Sequence, residues 1–353
     1  MAYNDIPGLL LINLGTPKSP SAADVRSYLR EFLSDPRVID IPSWKRRLIL
    51  ELFILPFRPK QSAEAYAKVW DERGSPLLYH TQDLASKVRE RLGDAVVVDL
   101  AMRYGEPSIA SVLESMRRRG VRRIVVFPLY PQYSSATTGS TIEKVFAEAS
   151  KLWNTPYVHV VPPFYNHPAF LDSCAEQARP VIRNVDPERV FFSFHGLPER
   201  QIRKGDASGR HCLCRDDCCD AITEVNADCY RAQCLATARR LADRLEIPED
   251  RRVYSFQSRL GREPWLRPYT DQVVREEARR GVKRAVILSP AFVADCLETL
   301  EELGMRAAED FKAHGGESLI LVPGINASDS WADAVVRIAG ESSRWLSPNA
   351  AVR

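Results

Sequence analysis

The chain has 353 residues, of which 45% are hydrophobic, 27% charged and 9% aromatic; this globular composition excludes a disordered tail, a coiled coil and a collagen-like rod. The 49 Lys and Arg against 46 Asp and Glu leave a formal net charge of +3, which provides no field for nucleic acid. The longest apolar run, residues 48–57, contains Glu51 and Pro56 and falls short of the ~20 residues of a membrane-spanning helix.

The first seven residues carry Asp5 and no Lys or Arg, so the basic segment of a secretory signal is missing. Gly8–Gly15 then reads as a buried first strand. A cytoplasmic, reducing compartment is expected, where disulfides rarely persist. Residues 41–57 form an apolar stretch that contains the basic run Lys45, Arg46 and Arg47. It suits a hydrophobic lip over a ligand or a face against lipid, and equally a buried core helix.

Continuous β-branched or aromatic runs at 9–14, 96–100, 124–127, 190–194, 253–256 and 285–288 alternate with amphipathic stretches. This pattern predicts an α/β fold with parallel sheets covered on both faces. Three segments recur in the same order. Leu11-Ile-Asn-Leu-Gly-Thr-Pro17 parallels Phe192-Ser-Phe-His-Gly-Leu-Pro198. Met102-Arg-Tyr-Gly-Glu-Pro107 parallels Ser258-Arg-Leu-Gly-Arg-Glu-Pro264, and residues 119–128 parallel 280–290. Two similar domains are expected, 1–163 and 164–327, followed by a helix and tail at 328–353.

Ligands of open α/β sheets sit beyond the carboxyl ends of the strands. The echoes put Leu14 and His195 at equivalent strand ends, with Tyr104, Tyr130, Gln257 and Asp295 at or beyond others. A cleft between the domains with His195 on one wall is the expected site. Glycine-rich phosphate-binding motifs are absent from these turns, which argues against a nucleotide.

Five features carry chemistry. His195 ends a Phe-rich strand before a glycine; its imidazole suits a metal or a proton near neutral pH, or a plain strand-end hydrogen bond. Asp295, Glu298 and Glu302 would share one helical face, an acidic stripe for a divalent cation or protons unless it only complements the helix dipole. The hydroxyl-rich turn at 128–140, with Tyr130, Tyr133, Ser134, Thr137 and Thr138, suits carboxylate binding or simple N-capping. The apolar stretch is the fourth. The fifth is a cysteine cluster, Cys212, Cys214, Cys218, Cys219, Cys229 and Cys234, preceded by His211. In a reducing compartment it reads as metal binding, and its C-x-C-x₃-C-C spacing fits an iron–sulfur cluster better than zinc knuckles. Six thiols for four places leave the ligand set open, while Cys174 and Cys296 read as structural.

Together these motifs resemble the ferrochelatase family, which inserts ferrous iron into a porphyrin in haem biosynthesis. The most specific pieces are Pro128-Leu-Tyr-Pro-Gln-Tyr-Ser-Ser-Ala-Thr-Thr-Gly-Ser140, Ser193-Phe-His-Gly-Leu-Pro198, Glu263-Pro-Trp-Leu266 and Asp295-Cys-Leu-Glu-Thr-Leu300. The resemblance implies two Rossmann-like, chelatase-type domains and a lyase. It implies that His195 and Glu298 handle the metal and protons, with Asp295 and Glu302 extending an acidic path. Leu14, Arg103 and Tyr104 would lie on the opposite wall, Trp265 would support His195, and Arg58, Tyr66, Ser75 and Tyr133 would contact porphyrin or propionates. The stretch 41–57 would be the lip, with possible peripheral membrane contact.

Two departures stand out. Many relatives carry histidine where this chain has Cys296. Cluster-bearing animal relatives use C-terminal cysteines and one in the hydroxyl-rich turn, where this chain has Ser135. A [2Fe–2S] cluster would therefore rest on the insertion at 206–234 alone. Protoporphyrin IX is the expected substrate, with coproporphyrin III as the alternative. A chelatase for another metal or tetrapyrrole, and a sensor without turnover, are the other readings.

Overall fold

The computed structural model describes residues 6–259, 261 and 263–346. The chain divides into two α/β units: Met1–Tyr130, Ser135–Pro162 and Ala327–Arg353 make the first, Pro131–Ser134 and Pro163–Asn326 the second.

The first unit holds β1 (Gly8–Gly15), β2 (Val97–Tyr104), β3 (Arg123–Pro128) and β4 (Tyr157–Val160) in the order β2-β1-β3-β4. All pairs are parallel. Leu9, Leu10, Leu11 and Ile12 of β1 have no exposed surface, which is why the strand alternates so little: both faces of a central parallel strand are covered. The helix Ile109–Arg118, N-capped by Ser108, buries Ile109, Val112, Leu113 and Met116 against that sheet at helical spacing. The helix Asp329–Ser342 returns to this unit, where Trp331 meets Phe127 edge to face at 6.4 Å.

The second unit holds β5 (Arg189–His195), β6 (Arg252–Gln257), β7 (Arg284–Leu288) and β8 (Ser318–Leu321) in the order β6-β5-β7-β8, again all parallel. Phe191 and Ile287 pack with Val274 and Ala278 of the helix Thr270–Arg279 and with Phe311. The six apolar runs thus became six strands, and the two sheets share one strand order. The edge strands β4 and β8 escaped sequence reading because each is four residues long and largely half-exposed, leaving no continuous apolar run.

One echo is displaced. Met102 N donates to Pro107 O at 2.7 Å, and Phe256 N donates to Pro268 O at 2.8 Å. Both prolines follow cis bonds, and each precedes a ten-residue helix. The counterpart of Pro107 is therefore Pro268, not Pro264. The second unit has a longer loop here, carrying Ser258 and Trp265; Leu260 and Arg262 of the matched motif lie outside the described residues.

The stretch 41–57 is not a core helix. It forms the helix Ser43–Ile49 and the π-helix Leu50–Ile54, with Trp44, Leu48, Leu52, Phe53 and Phe57 exposed while Leu50 and Leu55 alone are well buried.

Candidate active site

His195 is the last residue of β5 and pairs in register with Gln257 at the end of β6. Its Nδ1 lies 2.7 Å from the carbonyl oxygen of Gly196. A carbonyl only accepts, so Nδ1 carries a proton, and in the neutral form of the ring the lone pair is therefore at Nε2. The ring meets Phe292 edge to face at 6.4 Å. A side chain at residue 196 would come within 2.9 Å of Ser258 O and 3.4 Å of the Trp265 ring, so only glycine fits. Trp265 also bridges to Pro198, which fixes the turn after His195 from the other side.

Gln257, 3% exposed, spans strand ends. Its Oε1 accepts from the Ser193 hydroxyl at 3.0 Å, and its Nε2 donates to Glu298 O at 2.8 Å. The residue opposite His195 in the sheet thus anchors the backbone of Glu298. The Glu298 side chain faces the Cys296 thiol, whose pKa is raised well above its usual value by burial first and by the Glu298 charge second.

The three acids do not share one helical face. Asp295 precedes the N-cap Cys296; the α-helix spans only Leu297–Thr299 and gives way to the π-helix Leu300–Ala307. A wider turn breaks the i, i+3, i+7 alignment assumed from sequence. Asp295 is buried and accepts from Asn326 Nδ2 at 2.8 Å, Gly324 N at 3.1 Å and the Thr299 hydroxyl at 3.1 Å. Its carboxylate is a latch between two loops. Glu302 accepts from Ser258 N at 3.1 Å and the Ser258 hydroxyl at 2.6 Å, holding Ser258 at φ 59°.

In the first unit, Leu14 is the one residue of β1 that is partly exposed. Arg103 is nearly buried, and Tyr104 is fully buried, so the tyrosine cannot line a wall as expected from sequence. Sequence reading missed their partner, Asp35. Its Oδ2 pairs with Arg103 Nη2 at 2.5 Å and accepts the Tyr104 hydroxyl at 2.8 Å and the Ser140 hydroxyl at 2.5 Å; its Oδ1 accepts Arg37 N at 2.7 Å. Burial would raise the Asp35 pKa, but Ser140, Arg37 N, Tyr104 and Arg103 together hold it below the usual value. An Asp after a helix carries no periodic signal of such a role.

Ser75 is buried, its hydroxyl 2.8 Å from that of Thr16 beyond β1, so it is satisfied within the protein. Tyr66 is buried against Trp70, and Arg58 opens the helix Arg58–Val69 in an exposed position. Tyr133 belongs to the second unit, its N donating to Gln233 Oε1 at 2.6 Å. Residues Ser135–Gly139 form a π-helix, and the helix Ser140–Ala149 has Gly139 as its cap with no side-chain bond, so none of the crowded hydroxyls caps that helix.

Among the described residues no group of three or more His, Cys, Asp or Glu side chains is arranged to hold a metal ion. The cysteine segment nevertheless sorts its six thiols. Cys214 is exposed, the other five buried. Cys218 Sγ and Cys219 Sγ lie 3.6 Å apart, and Cys229 is close enough to Cys212 and Cys219 to shift the pKa of each thiol. Cys234 sits on the helix Tyr230–Arg244, where burial pushes its thiol pKa well above the usual value. The loop is organised by Asp206, which accepts His211 N and Cys212 N at 2.8 Å each, and by Asn226 Nδ2, which donates to Cys218 O at 2.8 Å.

The sequence model of the ferrochelatase family matches residues 7–343. The chain belongs to the ferrochelatase family. It is 44% identical over 339 residues to a ferrochelatase of Coxiella burnetii (strain Dugway 5J108-111), covering 96% of this chain and 94% of the relative. It is 47% identical over 331 residues to one from Azotobacter vinelandii, covering 94% and 97%. The fold is shared with the cobalt complex of the sirohydrochlorin chelatase SirB from Bacillus subtilis subspecies spizizenii, with a TM-score of 0.53, 11% identity and coverage of 96% and 95%. As a ferrochelatase the chain is a lyase of haem biosynthesis that inserts metal into a porphyrin, with iron as substrate.

Proposed function

We propose that this ferrochelatase inserts Fe²⁺ into protoporphyrin IX, with His195 and Glu298 as its catalytic pair. Four pyrrole nitrogens must lose two protons as the ion enters, and a flat macrocycle does not aim its lone pairs at an approaching metal. Distortion of the ring, sustained by binding energy elsewhere on the porphyrin, and a base near the N–H groups answer both needs. The observation that carries the assignment is the 2.7 Å contact from His195 Nδ1 to Gly196 O, which leaves Nε2 as the free basic atom at a strand end. Nε2 takes a pyrrole proton or holds the incoming ion, and Glu298, anchored through Gln257, shares the charge. In the second unit Trp265 shapes the surroundings of His195 and Tyr133 would meet the porphyrin; in the first unit Leu14 and Arg58 would meet it, with Arg103 acting from a buried ion pair and the buried Tyr66 and Ser75 supporting that surface from within. Asp295 and Glu302 support the acidic side as structural carboxylates.

The protein works in the cytoplasm, and the exposed apolar lip with Lys45, Arg46 and Arg47 supports peripheral contact with a membrane. No helix among the described residues is long and apolar enough to cross one.

A resident [2Fe–2S] cluster on the cysteine segment is part of this reading: Cys218 Sγ and Cys219 Sγ lie 3.6 Å apart, and the Arg231 guanidinium lies 3.9 Å from Cys218 Sγ, where it would offset thiolate charge. Cys212, Cys218, Cys219 and Cys229 would hold it, and Cys214 and Cys234 would not. Bound there, the cluster would supply a redox-active centre.

The deciding experiment is anaerobic. Ferrous iron is mixed with protein and either protoporphyrin IX or coproporphyrin III, and loss of porphyrin fluorescence is followed with growth of the haem spectrum. Faster turnover of protoporphyrin IX is expected; turnover of coproporphyrin III alone would overturn the substrate assignment.

A further inference from the structure

The helix Tyr230–Arg244 begins where the cysteine segment ends, with Cys229 as its N-cap. Its first residue, Tyr230, is buried, and its hydroxyl donates to the backbone carbonyl of His195 at 2.9 Å. Metal insertion uses nothing of this phenol. A phenylalanine would fill the space without the cost of desolvating a hydroxyl, so the hydrogen bond is what the oxygen contributes. The same helix also grips the cysteine loop: Arg239 Nη2 donates to Cys219 O at 2.5 Å, and Gln233 Nε2 donates to Ala227 O at 2.6 Å. Gln233 Oε1 also takes Tyr133 N, so this first part of the helix touches the cysteine loop, the hydroxyl-rich segment and the His195 strand at once.

We infer that Tyr230 is a positioning residue for His195 and that it transmits the packing of the cysteine segment to the imidazole. The inference rests on the reading of His195 as the reactive base. Residue 195 sits at the free end of β5, where the strand pairing stops. Its carbonyl is held by Tyr230, and the next amide, Gly196 N, by Gln257 O at 2.6 Å. Movement of the helix start would rotate this peptide, and with it the Gly196 carbonyl that fixes Nδ1. A displacement of this kind at a reacting group changes turnover without changing substrate affinity.

Tyr230→Phe tests the inference on the full-length protein. Turnover should fall about tenfold, the worth of one buried hydrogen bond, with the KM for porphyrin within about twofold of wild type. The second readout needs no turnover. In protein labelled with ¹⁵N-histidine, the His195 Nδ1–H resonance, assigned by its loss in His195→Ala, should shift in Tyr230→Phe. Cys219→Ser should move that resonance in the Tyr230 background and leave it in place in the Tyr230→Phe background. Wild-type turnover with an unmoved resonance in Tyr230→Phe would overturn the positioning role. An equal Cys219→Ser effect in both backgrounds would overturn the transmission. Should His195→Ala keep its turnover, the reading of His195 falls, and the resonance cycle still decides the coupling.

Discussion

His195 and Gly196 are joined side chain to backbone, the Nδ1 of one donating to the carbonyl oxygen of the next at 2.7 Å. The bond is local, but it holds because Gly196 is itself clamped between Gln257, Ser258 and Trp265, where no larger residue fits. The imidazole is thereby fixed in tautomer as well as in direction.

Removing that ring should remove the chemistry and leave binding. His195→Ala is expected to lose at least about a thousandfold in turnover, while porphyrin fluorescence quenching titrates with a Kd within about fivefold of wild type. Turnover near wild type would show that another group takes the pyrrole proton.

Asp35 joins Arg103, Tyr104 and Ser140 in one buried knot, and breaking such a pair leaves an uncompensated guanidinium. Asp35→Asn should destabilise the protein by about 3 kcal/mol at neutral pH, read by thermal melting. Its folded pKa lies below the usual value, so its contribution is complete above about pH 4 and lost as pH falls through the lowered folded value. The melting difference between Asp35→Asn and wild type should therefore shrink in acid. A difference constant from pH 7 to pH 3 would contradict the ion pair.

Gln257 holds the backbone of Glu298 from the strand beside His195. Gln257→Met keeps the volume and deletes both polar atoms. About a tenfold to hundredfold loss in turnover is expected, larger than the loss of porphyrin affinity. Equal losses in both would place Gln257 in binding rather than in the alignment of Glu298.

The thiol contacts separate the cysteines into two groups. Cys212→Ser, Cys218→Ser, Cys219→Ser and Cys229→Ser should each lose bound iron and visible cluster absorbance, and Cys214→Ser should keep both. Absorbance lost with Cys214→Ser would mean that the loop uses its exposed thiol after all.

The lip offers Phe53 and Trp44 to the outside. Their joint replacement by Ser should weaken co-sedimentation with vesicles containing anionic phospholipid and leave the melting temperature within about 2 °C, since exposed side chains contribute little to the fold. A large drop in melting temperature would show that the stretch is packed in the native protein.

Much of this was legible in the chain. Central parallel strands bury both faces and so appear as unbroken apolar runs, which is why β1, β3, β5 and β7 stand out and why His195 could be placed at a strand end. The ferrochelatase motifs were equally plain, because their chemistry needs particular side chains next to one another. The acidic stripe misled, since spacing assumes an α-helix and the backbone there is π-helical.

What the sequence determined by itself was the alternation of strand and helix, the family, and which histidine and glutamate to examine. Tertiary structure alone decided how polar groups pair over long separations: Asp35 with Arg103, Gln257 with Glu298, Asp295 with Asn326, Tyr230 with His195. Such partners have no sequence period to reveal them. A buried donor or acceptor takes whichever complementary group folding brings within hydrogen-bond distance, and only the packed structure fixes which one that is.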